Sequence, residues 1–507
     1  MKTRRYIEIM DTTLRDGEQT SGVSFSASEK LALAQVLLTE VKVDRVEVAS
    51  ARVSAGELEA VRQITRWAAG MGLLDRVEVL TFVDGQASLD WMRESGAKVM
   101  NLLTKGSMNH LTHQLKKTPD QHFGDIQQMV SQAQLAGFQI NVYLEDWSNG
   151  MRNSPDYVFQ FLDFLQTQPI RRVLLPDTLG VLTPAESYQF VYQLVNRYPR
   201  LHFDFHAHND YDLGVANVME AIRAGAHGIH LTVNGLGERA GNAPLASTLA
   251  VLHDFMPEVK LGVVEKSLYQ VSKIVETFSG LRIPDNKPVV GDNVFTQTAG
   301  IHADGDKKNN LYFNTLLPER FGRKRSYALG KTSGKANIEN NLRELGIQLS
   351  DDDLRKVTQR VIELGDQKEV VTREDLPYVI ADVLNTNAVA SRVEVLNYVL
   401  THSKDLKPSA TLRVRIDSEQ FEENAQGDGQ YDAFMNALKK IYSRKKLVLP
   451  ELTDYAVRIP TGGRTDALCE TIITWKVKNH EFKTRGLDSD QTVSAIKATQ
   501  KMLNTLD

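Results

Sequence analysis

Eight short apolar runs, separated by segments with helical periodicity, are the feature of this sequence that most restricts its fold. The runs cover residues 6–10, 43–49, 77–82, 99–103, 140–144, 173–175, 202–205 and 229–233. Between most of them apolar residues recur about every 3.6 positions, as in residues 28–40, 57–70, 125–136, 155–166, 185–198 and 215–224. Strand–helix repetition predicts a parallel sheet, and eight units in about 250 residues predict a closed (β/α)8 barrel.

An open doubly wound sheet is the alternative α/β arrangement. It normally has fewer strands, and the first run is not followed by the glycine-rich fingerprint of a dinucleotide site. We therefore expect the barrel, and we expect the functional residues at the carboxyl ends of its strands.

The chain continues well beyond the barrel, because 507 residues exceed what one ordinary core supports. After the last apolar run, helical segments and a loop rich in glycine, asparagine and aspartate predict a linker region. Further on, residues 410–416, 454–459 and 471–477 are predicted strands, and residues 432–444 and 489–503 are predicted amphipathic helices. We therefore predict a barrel at 1–265, a linker region at 266–390, and an α+β domain at 391–507.

The composition excludes several classes of protein. A net charge of −4 argues against a general nucleic-acid footprint, and no apolar run approaches the roughly 20 residues of a membrane span. The single cysteine, Cys469, excludes an internal disulfide and fits a reducing compartment. The basic start of the chain is followed by an apolar stretch that Glu8 interrupts, which is too short for a signal peptide. We expect a soluble, cytoplasmic protein.

Charged and polar residues follow three of the apolar runs. Arg15 and Asp16 come after the first, His206 and His208 after the seventh, and Asn242 closes a glycine-rich stretch after the eighth. Residues two apart in a strand point to the same side, so the histidines can face one ion. A carboxylate, two imidazoles and an amide oxygen suit Mg, Mn or Zn. Such residues could also simply solvate the rim, but the histidine spacing favours a divalent metal site.

Two residues of the linker, His302 and Tyr312, are candidates for proton transfer. A histidine and a tyrosine in a loop are more often structural, so the residues alone leave both roles open.

Several motifs, in order along the chain, resemble those of a known family. Residues 11–19, 206–210, 234–242 and 300–305 look like the signatures of the DRE-TIM metallolyases, and specifically of the Claisen-condensing branch that contains the 2-isopropylmalate and citramalate synthases. Residues 46–54, 101–106, 141–150 and 297–308 resemble the pyruvate-specific members of that branch. The resemblance covers essentially the whole chain, including a LeuA-type allosteric dimerisation domain.

The resemblance implies a role for each matching residue. It implies that Asp16, His206, His208 and Asn242 hold the metal. It implies that Arg15 contacts the keto oxygen of the 2-oxo acid and that Thr178 contacts its carboxylate. It places Leu80, Leu103 and Tyr143 around the side chain of the acid. It assigns catalysis to Arg15, Glu145, His302 and Tyr312, and acetyl-CoA binding to Asp304, Asn310 and Leu311.

The implied activity is condensation of acetyl-CoA with pyruvate in a homodimer that responds to an end-product amino acid. Isoleucine is the expected effector and leucine the alternative. The branch also leaves 2-oxoisovalerate as an alternative substrate, and aldolase or lyase chemistry is possible in the same superfamily. A sensor protein with an inactive barrel is a different class, against which the intact ligand set argues.

Overall fold

The computed structural model describes residues 4–306, 311, 314–366, 371–384, 392–459, 469–478 and 480–504. Its described residues form two compact units, one within residues 1–295 and 313–325, the other within 296–312 and 326–507. The boundaries at residues 265 and 390 were predicted from the sequence, whereas these two units are defined by contacts. The predicted boundaries therefore stay predictions.

The first unit is built on a closed barrel of eight parallel strands, which confirms the predicted fold class. The strands are β1 Glu8–Asp11, β2 Arg45–Ser50, β3 Val77–Phe82, β4 Val99–Lys105, β5 Gln139–Glu145, β6 Arg172–Asp177, β7 Phe203–Ala207 and β8 Gly228–Leu231. Each pairs with its sequence neighbour, and β1 closes the barrel against β8. A two-residue strand, Arg5–Tyr6, pairs with Val259–Lys260 outside the barrel.

Helices fill every interval between the strands, and two more follow the last strand. In chain order they are Ala27–Val36, Ala55–Gly70, Gln86–Ser95, Met108–His110, Pro119–Leu135, Trp147–Asn153, Pro155–Leu165, Pro184–Arg197, Gly214–Ala224, Leu245–Phe255 and Leu268–Ser279. Capping explains several starts, because Ser26, Thr118 and Thr183 each form a reciprocal capping box with the third helical residue.

The two faces of the barrel strands have opposite character. Outward side chains such as Val46, Val79, Leu102 and Phe205 belong to one large core between the strands and the helices. Inward side chains include charged and amide groups, although bulky aliphatic residues usually dominate barrel interiors. The barrel interior is therefore held together largely by hydrogen bonds and ion pairs.

Nine inward side chains join into a closed ring of hydrogen bonds, which we call the interior ring. Its members, each bonded to the next and the last to the first, are Arg15, Glu47, Asn101, Asn141, Glu78, Arg45, Asp204, His230 and Tyr143. All but Arg15, whose side chain is 10% exposed, are buried. The ring connects the amino-terminal end of the barrel, around Arg45, with the carboxyl-terminal end, around Arg15.

The second unit contains two antiparallel sheets, each followed by a helix. Strands β9 Val393–Ser403, β10 Leu406–Ile416 and β11 Glu419–Gln426 precede helix Gln430–Lys445, and strands β12 Glu451–Arg458, β13 Cys469–Val477 and β14 His480–Asp488 precede helix Gln491–Leu503. Both sheets and both helices contribute to one core that includes Leu412, Phe434 and Trp475. The sequence analysis did not identify β9, β11 and β14.

The helical part of the second unit has a core of its own. Helices Lys335–Glu344, Asp351–Asp366 and Leu376–Leu384 bury Ile338, Leu354 and Val357. The short helix Gly300–Asp306 and a two-stranded pair, Thr296–Gln297 with Ser326–Tyr327, also belong to this unit. Among the described helices, none is both long and apolar enough to cross a membrane.

Replacing Arg45 tests whether the buried ion pairs stabilise the barrel. Its guanidinium lies 3.0 Å from Glu78 and 3.2 Å from Glu8, and it also contacts Asp204. Arg45→Met would leave buried carboxylates without their counter-charge, and we expect a loss of about 3–5 kcal/mol in the free energy of unfolding. Urea unfolding of the barrel, followed by tryptophan fluorescence, measures it.

The control is Arg62→Met, which removes a surface pair with Glu94. Exposed pairs contribute little, so its loss should stay below about 1 kcal/mol. Equal effects of the two substitutions would contradict the stabilising role of the interior charges.

Candidate active site

The loop that carries Arg15 and Asp16 is held by local hydrogen bonds after β1. The amides of Arg15, Asp16 and Gly17 all donate to the carbonyl of Thr12, at 3.1, 2.8 and 3.1 Å. The Asp11 carboxylate accepts from the amide of Thr13 at 2.9 Å. Burial raises the pKa of Asp11 to about 7, against which the bonds from Thr13 act. The loop is thus a compact turn that directs the next side chains over the barrel.

A fully buried lysine, Lys30, ties this loop to its surroundings. Its ammonium donates to the carbonyls of Leu14 and Val48, at 3.0 and 3.3 Å, and forms 2.6 Å ion pairs with Glu18 and Glu57. Lys30 was not predicted from the sequence, because it lies in an ordinary helical pattern and its contacts come from three separate segments. Its position makes the loop part of the barrel rather than a free surface turn.

Asp16, His206 and His208 converge at the carboxyl end of the barrel, as the sequence analysis expected. Asp16 Oδ2 lies 3.0 Å from His206 Nε2 and 3.9 Å from His208 Nε2, and the three residues are 1%, 3% and 8% exposed. Their candidate ligand atoms all lie within 4.8 Å of one another. A buried carboxylate with two imidazoles is a donor set that binds divalent transition metals.

The protonation states of this cluster also suit a cation. Burial acts to raise the pKa of Asp16, but Arg15 and the two histidines outweigh it and hold that pKa well below its usual range. Burial lowers the pKa of His208 to about 4, although the nearby Asp16 acts in the opposite direction. An ionised carboxylate and a neutral imidazole are the forms that ligate metals.

Asn242 lies beside Asp16 and completes the predicted set. Its amide nitrogen donates to Asp16 Oδ2 at 3.1 Å and to the carbonyl of Leu236 at 3.0 Å. Its Oδ1 is buried and has no hydrogen-bond partner among the described residues, and the same is true of the Nδ1 atoms of His206 and His208. A buried acceptor without a partner is costly, and a bound cation would satisfy Asn242 Oδ1. The residues present therefore fit a divalent metal.

Arg15 is held from two sides. Its Nε is 2.6 Å from Glu47 Oε2, its Nη2 is 3.3 Å from the Tyr143 hydroxyl, and its Nη1 is 3.5 Å from Asp16 Oδ1. Burial acts to lower the pKa of Arg15, but Glu47 and Asp16 outweigh it and raise that pKa, so the guanidinium stays charged. A fixed positive charge thus lies directly beside the metal cluster.

A small apolar cluster adjoins these charges. Met10, Leu80, Tyr143 and Leu174 form a cluster separate from the main core, and Leu103 packs against it partly buried. Leu103 is in register with Tyr143, and Tyr143 with Leu174, so adjacent strands build one wall. The three predicted pocket residues, Leu80, Leu103 and Tyr143, are therefore brought together.

Thr178 and Glu145 lie at the ends of β6 and β5. The Thr178 hydroxyl accepts a bond from the Asp146 amide at 2.9 Å, which leaves its own proton available to a ligand. The Glu145 carboxylate forms an ion pair with Lys105, its register partner on β4, and Lys105 is buried. The sequence analysis did not identify Lys105 as a partner of Glu145, since the pairing depends on strand register.

The remaining predicted residues are not part of this unit. His302 is half-buried in helix Gly300–Asp306, and Leu311 is exposed. The side chain of Asp304, and Asn310 and Tyr312 as a whole, lie outside the described residues. Roles in catalysis and in acetyl-CoA binding for these five residues stay predictions.

Three family models match the chain. Residues 6–275 match the HMGL-like model, residues 289–369 the homocitrate synthase post-HMGL domain-like model, and residues 370–506 the LeuA allosteric (dimerisation) domain. The first match includes all eight barrel strands, so the barrel is of the HMGL-like class.

Full-length relatives narrow the class. The (R)-citramalate synthase of Methanocaldococcus jannaschii is 32% identical over 506 residues, covering 99% of both chains. The 2-isopropylmalate synthase of the same organism is 30% identical and covers 99% of this chain and 94% of that one. The 2-isopropylmalate synthase of Methylorubrum populi is 33% identical, with 99% and 95% covered. The chain belongs to the HMGL-like family, in the group of citramalate and 2-isopropylmalate synthases.

His208 is the residue of choice for testing the metal site. His208→Ala removes one imidazole from the cluster, so we expect less divalent metal per chain after desalting and loss of enzymatic turnover, with an unchanged circular dichroism spectrum. Elemental analysis by mass spectrometry measures the metal.

The control is His113→Ala, because His113 is exposed on the same unit. It should retain wild-type metal content and turnover. A His208→Ala variant that binds metal and turns over normally would contradict the metal assignment.

Proposed function

We propose that the chain is an (R)-citramalate synthase, which condenses acetyl-CoA with pyruvate and then hydrolyses the thioester. The observation that carries this proposal is the buried apolar cluster that contains Leu80 and Tyr143, with Leu103 packed against it, beside Arg15. Overall similarity cannot decide the substrate, since relatives of both names are about equally identical to this chain.

The 2-oxo acid is positioned by groups at the ends of several strands. Asp16, His206, His208 and Asn242 would hold a divalent cation, which polarises the keto group when bound. Arg15 places its charge where negative charge develops on the keto oxygen. The Thr178 hydroxyl donates to the carboxylate, and the methyl group of pyruvate fills the space between Leu103 and Tyr143.

Glu145 is the proposed base for the second substrate. It removes a proton from the methyl group of acetyl-CoA, directly or through water or His302. The resulting carbanion attacks the keto carbon, so that a carbon–carbon bond forms and the keto oxygen becomes a hydroxyl after protonation. Water then cleaves the thioester and releases the coenzyme A thiol. Lys105 holds the Glu145 carboxylate in place, and Tyr312, Asp304, Asn310 and Leu311 are proposed to contribute from the linker.

A 2-isopropylmalate synthase is the second candidate, and the 33% identity to such an enzyme favours it. The two functions differ in the side chain that the pocket must accept: a methyl group in pyruvate, an isopropyl group in 2-oxoisovalerate. Thiol release from acetyl-CoA, measured with the two acids side by side, separates them. A preference for 2-oxoisovalerate would overturn the citramalate assignment.

Enlarging the pocket tests its role. Leu103→Ala or Tyr143→Ala should lower the ratio of kcat/KM for pyruvate to that for 2-oxoisovalerate by about ten- to thirty-fold, since each additional methyl group that fits contributes roughly 1 kcal/mol. Leu103→Met conserves volume and should keep the wild-type ratio. A ratio that is unchanged in both alanine variants would place the specificity pocket elsewhere.

We also propose regulation through the second unit. The LeuA allosteric (dimerisation) domain at residues 370–506 supports a homodimer that binds an end-product amino acid. Isoleucine is the inhibitor that we expect if the product is citramalate. The single cysteine supports a separate proposal, a cytoplasmic location.

Truncation after residue 390 tests this regulation. The shortened chain should still release thiol and should lose its inhibition by isoleucine, while the full chain is inhibited more strongly by isoleucine than by leucine. Inhibition that survives truncation would place the effector site elsewhere.

A further inference from the structure

Tyr143 differs from the other pocket residues because its ring carries a hydroxyl group, and that hydroxyl is anchored. It lies 3.0 Å from His230 Nδ1 and 3.3 Å from Arg15 Nη2. The rings of Tyr143 and His230 meet edge to face, with centroids 5.7 Å apart and planes at 81°. Leu80 and Leu103 have no such polar attachment, so their positions depend on packing alone.

The direction of the Tyr143–His230 bond follows from the groups behind it. Asp204 pairs with the guanidinium of Arg45, so its carboxylate accepts hydrogen bonds. His230 Nε2 lies 3.2 Å from Asp204 Oδ2 and must therefore carry the hydrogen that it donates. With its hydrogen on Nε2, the neutral ring presents Nδ1 as a bare acceptor toward Tyr143.

The Tyr143 hydroxyl consequently has one arrangement that satisfies every neighbour. It donates to His230 Nδ1 and accepts from Arg15 Nη2. Glu47 Oε2, at 3.4 Å, can at most be a weak second acceptor. The plane and the tip of the Tyr143 ring are thus set from β8, on the far side of the barrel from the strands that supply Leu80 and Leu103.

We propose that His230 is a positioning residue for substrate specificity, because it holds the Tyr143 ring against the side chain of the 2-oxo acid. This inference rests on the proposed function of the pocket. A tyrosine held by packing alone could turn aside for a larger substrate. With its hydroxyl bonded, Tyr143 can withdraw only by leaving buried donors and acceptors unpaired, which is costly. His230 therefore makes the exclusion of branched 2-oxo acids effective without touching the substrate.

Two substitutions of His230 separate this role from a structural one. Asparagine places an amide at the position of Nδ1 and can still accept from Tyr143, but it cannot reach Asp204. Glutamine places its amide at the position of Nε2 and can still donate to Asp204, but it offers Tyr143 no acceptor at the position of Nδ1. His230→Asn and His230→Gln thus each keep one of the two bonds.

The measurement is kcat/KM for pyruvate, 2-oxobutanoate and 2-oxoisovalerate in the full chain, together with the thermal unfolding midpoint. His230→Gln should lower the preference for pyruvate over the larger acids by about ten-fold, while His230→Asn stays within about two-fold of wild type. Tyr143→Phe removes the same hydrogen bond without altering β8, so it should reproduce the effect even if the His230 variants fold poorly. The double variant His230→Gln/Tyr143→Phe should lower the preference no further than either single change.

Several results would overturn the inference. One is an equal loss of preference in His230→Asn and His230→Gln; another is a Tyr143→Phe variant with wild-type preference. A fall in the unfolding midpoint with unchanged ratios would leave His230 a purely structural role. Wild-type preference for 2-oxoisovalerate would overturn the citramalate assignment. It would not decide the role of His230, because the contrast between the two His230 variants is measured relative to the wild-type ratio.

Discussion

Compensation of charge inside the barrel is the constraint on which the rest of the first unit depends. Arg45 is buried against Glu78 and Asp204, and Arg15 against Glu47 and Asp16. None of these charges could be buried alone, since an unpaired ion in a protein interior costs several kcal/mol. Their pairing allows a barrel interior of polar side chains, and it connects the amino-terminal end of the barrel with the carboxyl-terminal end, where Asp16, His206 and His208 converge. The metal cluster and the pocket are both built on members of the interior ring or on their immediate neighbours.

The sequence predicted the architecture well where a local pattern carried the information. All eight barrel strands were recognised, because their outward side chains form one continuous apolar layer. The strand spacing of His206 and His208 predicted their convergence with Asp16. Lys30, Lys105 and His230 were not recognised, since each acts through partners that are distant in sequence. In the second unit, β11 has too few apolar residues to be predicted as a strand. Its sequence is Glu-Gln-Phe-Glu-Glu-Asn-Ala-Gln.

Substrate choice in this group depends on few atoms. Two methyl groups separate pyruvate from 2-oxoisovalerate, and relatives named for either product are about a third identical to this chain. The general scaffold is therefore shared, and under the proposed function the difference lies in side chains such as Leu103 and Tyr143. In our proposal the position of Tyr143 depends in turn on His230, which acts through a hydrogen bond and not through apolar contact. Lists of pocket residues alone would miss that dependence.

The bond between Tyr143 and His230 also bears on how substrate preference could change during evolution. The two residues lie on β5 and β8, so replacing either one alone leaves the other with a buried polar atom that has lost its partner. A lineage moving between straight and branched 2-oxo acids would pass through intermediates that carry this penalty, unless both positions changed together. The two codons should therefore vary in a correlated way among relatives, and ancestral single-substitution states should be rare.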